Sequence, residues 1–461
     1  MVAWLKRSAG LVLLVAMVIG MMPTIALGQE ASGVQEVIAE VAAEVEAPNA
    51  ADTAWMLVSA ALVCLMTPGL AFFYGGLVRR KNVLSILMQC FMCMGLVTVL
   101  WMVVGFSLAF GENTLGGFIG SPLTYFMLKG LSFTEVWSGL TISQQLFMIF
   151  QCMFAIITPA LIIGAFAERM KFSAFTLFTT IWLLVIYCPV AHWVWGGAEG
   201  IFALGGDGAL DFAGGTVIHI NAGIAALVAC LVLGKRLGFA EGKISPPHNL
   251  PIAVLGAALL WFGWFGFNGG SAGAASDQAV RALVVTHIAT AAAALAWAVI
   301  EWIRNGKPTV LGIITGAVAG LVGITPGAGF VDPIGALLIG LGATIVAYFF
   351  VAVVKHKLGY DDSLDVFGVH GMAGIWGAIA TGIFAVKGYG IEEAGGLLEG
   401  NVAQLVIQLK AVVYTLIYSG IGTFVILKLI DVTMGLRSSE RSERIGLDLT
   451  DHSENAYTIL E

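Results

Sequence analysis

Two histidines stand in apolar company. His219 lies in Asp211-Phe-Ala-Gly-Gly-Thr-Val-Ile-His219-Ile-Asn-Ala-Gly-Ile, a run that stays apolar to Leu233 and is closed by Gly234-Lys235-Arg236. His370 lies in Asp365-Val-Phe-Gly-Val-His370-Gly-Met-Ala-Gly-Ile-Trp-Gly, so His-x-x-Ala-Gly-Ile occurs at 219 to 224 and again at 370 to 375. Imidazole can donate from one nitrogen and accept at the other, and its charge changes near neutral pH. A matched pair could therefore hold or pass a proton without a permanent charge. An ionisable ring in hydrocarbon is costly unless it faces a partner or a cavity, which makes a substrate pathway the default reading. The alternative is a pair of helix-packing histidines, hydrogen-bonded across an interface. Two rings in matching contexts favour the pathway.

Such rings need apolar elements to hold them, and the composition supplies these. Hydrophobic residues make up 59% of 461 positions and charged residues only 11%, with 59 glycines. Because globular domains carry about 25% charged residues, this chain is a polytopic membrane protein of the all-α class. The net charge of -7 says little about partners, and no basic patch points to nucleic acid. All six cysteines fall in apolar runs as small hydrophobes, and Cys90-x-x-Cys93 reads as packing rather than a redox pair.

Residues 1–28 have the tripartite form of a secretory signal: Lys6 and Arg7, the apolar run Leu11 to Met22, then Ala26-Leu27-Gly28. Cleavage is expected near Gly28, the alternative being an uncleaved extra helix. Residues 29–53 read as an exported acidic segment with little fixed structure, 54–434 as the membrane domain and 435–461 as a cytoplasmic tail. With about 20 apolar residues needed per crossing, eleven spans are expected: 54–78, 83–110, 143–166, 172–193, 211–233, 250–271, 279–302, 309–324, 331–354, 366–386 and 402–430. Lys and Arg crowd one set of connections, at positions 79, 80, 81, 169, 171, 235, 236, 243, 304, 307, 355 and 357. Only Lys129, Arg281 and Lys387 fall in the other. The crowded side is expected to be cytoplasmic, with the N-terminus outside and the C-terminus inside.

Phe73-Tyr-Gly-Gly in the first span echoes Phe267-Asn-Gly-Gly in the sixth, and Ile156-Ile-Thr in the third echoes Ile313-Ile-Thr in the eighth. Spans one to five therefore match six to ten, and because five is odd the copies are inverted, a plan that sets a transport site between the halves. The eleventh span is unpaired. Dense glycine fits close helix approach.

At this point the chain resembles the ammonium transporter family of Amt, Mep and Rh proteins, in its bacterial Amt form. The matching segments are Phe72-Phe-Tyr-Gly-Gly-Leu-Val-Arg79, Gly164-Ala-Phe-Ala-Glu-Arg169, Asp211 to Gly223, Gly263-Trp-Phe-Gly-Phe-Asn-Gly-Gly-Ser271 and Asp365 to Gly374. The resemblance implies an eleven-span protomer, a homotrimer with one pore per protomer, and ammonium as substrate. It further implies that Trp195, Ser271 and Phe154 form an outer recruitment site for the cation. An aromatic face attracts a cation and a hydroxyl can accept one of its protons. Phe154 and Phe267 would be the stacked rings that close the pore below, and His219 and His370 the paired histidines sharing one proton. Their contact rests on the repeat and the resemblance, not on depth. Asp211 would be either a cation-stabilising carboxylate near the outer site or a helix N-cap. The remaining histidines, His192, His248, His287, His356 and His452, are assigned no chemistry.

The tail, Gly435 to Tyr457, resembles that of bacterial members regulated by PII signalling proteins, which makes a PII protein the expected cytoplasmic partner. No phosphate loop, nucleophile arrangement or metal cluster appears, so neither an enzymatic activity nor a cofactor is expected. Two other functions compete with transport. One is an ammonium sensor that signals through the tail with little flux. The other is a haem-bearing electron-transfer subunit, for which paired intramembrane histidines could serve as axial ligands.

Overall fold

Lipid offers the backbone no hydrogen-bond partners, so each apolar run must satisfy its own amides and carbonyls, and does so as a helix. The computed structural model describes residues 47–197, 200–202, 208–242, 246–391 and 395–457. The expected signal, 1–28, and residues 29–46 of the acidic segment lie outside the described residues. Among the described residues ten helices are long and apolar enough to cross a membrane. In chain order the first five are α1 Ala50–Leu77, α2 Arg80–Phe110, α3 Gln144–Phe166, α4 Phe172–Trp195 and α5 Gly215–Leu233. After them come α6 Leu250–Gly270, α7 Asp277–Asn305, α9 Pro333–Leu358, α10 Phe367–Phe384 and α11 Val402–Met434. Between α7 and α9 stands α8 Val310–Ile324, apolar but only 15 residues long. The tail adds α12 Glu440–Ile445 and α13 Leu447–His452. Among the described residues strand is confined to β1 Asn113–Thr114 paired with β2 Ile119–Gly120. The chain is an all-α multi-pass membrane protein.

Short polar side chains set the helix starts. Asn49, Ser143, Asn249, Ser276, Thr309, Asp332 and Asn401 each precede a helix and accept a hydrogen bond from its first-turn amides. Asn49 accounts for a departure from expectation: it starts α1 at Ala50, so residues 50–53, expected to lack structure, are helical.

Close approach depends on glycine where α1 crosses α6. A Cβ on Gly256 would overlap the backbone of Phe73, and one on Gly76 would sit 2.6 Å from the amide of Ala253. Dispersion between facing backbones replaces the hydrophobic drive that lipid removes.

At the end of the bundle rich in Lys and Arg, buried ions join the connections. Arg236 is paired with Asp361 at 2.7 Å, and Arg79 with Glu168 at 2.7 Å. Arg169, fully buried, donates to the carbonyls of Gly234 and Asp361 and to the hydroxyl of Ser363. The tail docks on this end of its own chain. Asn82 accepts from the amide of Leu447, Asp448 accepts from that of Ser85, and Arg437 holds Glu443.

Burial works to raise the Asp361 carboxyl, but its bonds to Arg236 and the Arg236 and Arg169 charges outweigh that and hold it below its ordinary range. A depressed carboxylate contributes stability that is present above its unfolded pKa and lost as pH falls through its folded one. Asp361→Asn should therefore cost about 3 kcal/mol at neutral pH, because it takes from a buried guanidinium its nearer carboxylate and leaves it Glu168 at 3.7 Å. Its thermal stability should also fall less between roughly pH 5 and 3 than that of the wild type. Unfolding curves of the detergent-solubilised pair across that range check both; parallel pH profiles would count against the ion pair as their source.

Candidate functional site

Both histidines sit on a π-helical turn at the start of a helix, His219 in Gly215–Ile220 and His370 in Phe367–Met372. A π turn carries one extra residue and re-aims the side chains around it. Asp211 fixes the first of these turns. Its carboxylate accepts from the amides of Gly214, Gly215, Thr216 and Val217 at 2.9, 2.6, 2.8 and 3.2 Å. This is the geometry of a helix cap, and it starts α5 at Gly215 rather than at 211. Asp211 reaches the aromatic site through its backbone, where its carbonyl accepts the indole N–H of Trp195 at 2.9 Å.

The two imidazoles meet. Their Nδ1 atoms are 3.3 Å apart and their planes lie 19° from parallel, with centroids 5.4 Å apart. Since nitrogen faces nitrogen, one must carry the hydrogen and the other accept it. The outer nitrogens then differ too, and Nε2 of His219 is buried without a protein partner.

Glycine makes the meeting possible, which gives the repeated motif a physical meaning. Gly223 stands four residues after His219, and a Cβ there would overlap the backbone of Gly371. Gly374 stands four after His370, and a Cβ there would lie 3.1 Å from the Cβ of His219. Each histidine thus has one turn beyond it a gap for its partner's helix.

From the pair a file of rings leads to the surface. Phe267 lies 6.0 Å from His219, Phe154 lies 4.5 Å from Phe267, and Trp195 lies 6.0 Å from Phe154 at 75°. Both phenylalanines are fully buried and Trp195 is half-buried. Ser271, also half-buried, donates to the carbonyl of Phe267 at 2.8 Å, which leaves its oxygen free to accept. Toward the basic end the lumen continues past His370. A narrow gap of about 10 Å³ at the pair, room for about one water, and a wider vestibule of about 400 Å³ share Phe73, Val318 and His370 as lining. The vestibule carries Glu301, Asp365 and His356, with Asp365 paired to Lys355 at 2.6 Å.

All seven residues singled out in the sequence are therefore joined in one file, Asp211 by its carbonyl and Ser271 by its bond to Phe267. Trp264 is an addition. Its indole stacks on His219 at 5.4 Å and 16° and donates to the hydroxyl of Thr325 at 2.9 Å. Its place three residues before Phe267, on the same helix face, was the signal available in the sequence. The surroundings of the pair do not fit a haem, since the gap at the two rings, about 10 Å³ walled by Trp264, Phe267 and aliphatic side chains, has no room for a macrocycle.

The sequence profile of the Ammonium Transporter Family matches residues 54–457. This chain belongs to that family. An ammonium transporter of Aquifex aeolicus is 51% identical over 409 residues, covering 88% of this chain and 93% of that one. The crystal structure of Saccharomyces cerevisiae Mep2 superposes with a TM-score of 0.78 at 35% identity, covering 86% of this transporter and 88% of Mep2. A structure titled Sensor Amt Protein superposes with a TM-score of 0.80 at 29% identity over 87% of this chain and 98% of its own. The family is one of ammonium transporters, and in this member the file of rings ends at the histidine pair.

Proposed function

We propose that this transporter recruits the ammonium cation between the indole of Trp195 and the hydroxyl of Ser271, and conducts ammonia past Phe154 and Phe267 to the histidine pair, with its proton or followed by it. The observation that carries this is the unbroken file of rings from Trp195 to His370. A wet aromatic face holds a cation by about 1 kcal/mol, enough to concentrate it without trapping it. Stripping an ion of water to pass buried phenyl rings costs tens of kcal/mol, whereas neutral ammonia crosses without that penalty. At the pair, Nε2 of His219 is a buried nitrogen in want of a partner, which ammonia can supply. The two rings then hold or relay the proton by exchanging donor and acceptor roles.

Around this pore we infer eleven spans, with α8 as the short one, in a five-plus-five inverted repeat. Its support is pairwise: α1 packs on α6 and α5 on α10, the first and fifth members of each half. With the basic end cytoplasmic, the N-terminus is outside and the C-terminus inside. The protein would be a homotrimer of the cell inner membrane serving nitrogen uptake, with residues 1–28 a cleaved signal peptide and 435–461 a cytoplasmic tail that meets a PII protein. A sensor with little flux is the second reading, favoured by the docked tail and by the likeness to a structure titled as a sensor. Ammonium-evoked current in reconstituted vesicles separates the two, and its absence in folded protein would favour the sensor.

Trp195→Ala and Ser271→Ala should each raise the half-saturating ammonium concentration about five-fold while leaving the maximal current near wild type. A concentration series with unchanged half-saturation in both would remove them from the recruitment site.

A further inference from the structure

Helix α11 stands outside the paired halves, yet it buries two amides one turn apart, Gln404 and Gln408. A buried primary amide in a membrane helix must find partners for both its ends. Gln408 finds them on other helices and connections. Its Oε1 accepts the amide of Leu210 at 2.6 Å, and its Nε2 donates to the carbonyl of Leu210 at 2.8 Å and to that of Ala378 at 3.0 Å. The side chain thus pairs with both backbone groups of one residue, as a neighbouring strand would. Gln404 extends the bracket by donating to the carbonyl of Gly208 at 2.9 Å and to Oε1 of Gln408 at 3.3 Å.

What the bracket holds is the stretch leading into Asp211. One residue beyond Leu210, the Asp211 carbonyl takes the Trp195 indole N–H and its carboxylate ties down the turn that carries His219. The third bond reaches Ala378 on α10, two turns beyond His370. A single side chain on the unpaired helix therefore joins the indole, the His219 turn and the His370 helix.

We propose that Gln408 is a positioning residue of the transport site: it sets Leu210 and, through Asp211, the place of Trp195 and of the His219 turn. The functional part of this rests on Trp195 as the recruitment site. Length matters as much as polarity. Asparagine is shorter by one C–C bond of about 1.5 Å and cannot reach both groups of Leu210 from the same helix position. Methionine keeps the length and loses all four bonds, the one from Gln404 included.

The test uses the full chain with Gln408→Met, Gln408→Asn, Trp195→Ala and each Gln408 change combined with Trp195→Ala. Hydrogen exchange followed by mass spectrometry reads the holding directly. In either Gln408 variant the amides of Leu210 and of residues 214–217 should exchange at least about ten-fold faster than in wild type. Ammonium-evoked current reads the consequence: half-saturation about five-fold higher, maximal current within about two-fold, and no further rise when Trp195→Ala is added. Wild-type exchange protection in a folded Gln408 variant would overturn the proposal. So would a rise in half-saturation of the same factor whether or not Trp195 is present, because the effect would then run by another route. Unchanged half-saturation in Trp195→Ala alone would count against the recruitment reading instead, and exchange would still decide whether Gln408 holds the segment. Should Gln408→Met fail to fold, Gln408→Asn carries both readouts.

Discussion

His219→Gln and His370→Gln should fold and yet lose ammonium-evoked current by on the order of 100-fold, or else pass potassium, which a wild-type pore closed by buried phenyl rings is expected to exclude. Glutamine has nearly the reach of histidine and can hydrogen-bond at the same place. It cannot do what the 3.3 Å Nδ1 to Nδ1 contact requires, which is for either ring to be donor or acceptor according to where one hydrogen sits. An amide has its donor and acceptor fixed on separate atoms and takes up no proton near neutral pH. Positioned acid–base groups contribute roughly 10² to 10⁴ to rates, which sets the scale of the expected loss. If instead the rings only pack, substitution costs some stability and leaves selectivity unchanged. Currents evoked by ammonium and by potassium in vesicles of wild type and both variants decide it. Wild-type values for both ions in both variants would return the pair to packing.

Gly223→Ala should impair transport as severely as loss of a histidine, although it touches no titratable group. The added methyl would occupy the place of the Gly371 backbone, and backbone in a packed helix pair cannot swing aside as a side-chain tip can. The helices must part, and the hydrogen bond between the imidazoles, already at 3.3 Å, is lost. Overpacking of this kind costs about 1–3 kcal/mol, so the variant should still fold with a lowered unfolding temperature. Gly374→Ala is the graded control. Its methyl would meet the Cβ of His219 at 3.1 Å, a contact relieved by a few tenths of an ångström, and its loss of current should be smaller. Equal, near-wild-type currents in the two variants would show that helix approach does not set the pair.

Much of the fold was legible because lipid leaves the chain so few options. A run of about 20 apolar residues that must satisfy its own backbone is a helix whatever surrounds it. The spans from 143–166 and 172–193 accordingly reappear within a few residues as α3 and α4. The ends moved where a local side chain decided them: Asn49 started α1 early and Asp211 delayed α5 to Gly215. Both effects lie within a few residues of sequence, but only the fold shows which of several candidate caps is used. The tail's two short helices had no apolar signal to announce them.

For the site, residue types were legible and arrangement was not. His219 and His370 stood out because ionisable rings at repeated positions in apolar runs are expensive to keep without a use, whereas Trp195, Phe154, Phe267, Ser271 and Asp211 were singled out by the resemblance to the family. That Asp211 spends its carboxylate on four amides, or that Trp264 lies flat on His219, depends on how helices far apart in the chain are turned toward one another. Gln408 is the clearest case. By itself it is one polar residue in a long helix, and its bonds to Leu210 span 198 positions. Local sequence determined which segments are helical and which side chains they carry, because backbone satisfaction in lipid is a local demand. Tertiary packing alone determined which of those side chains meet, because a hydrogen bond or ring contact acts over a few ångströms and chain separation does not enter it.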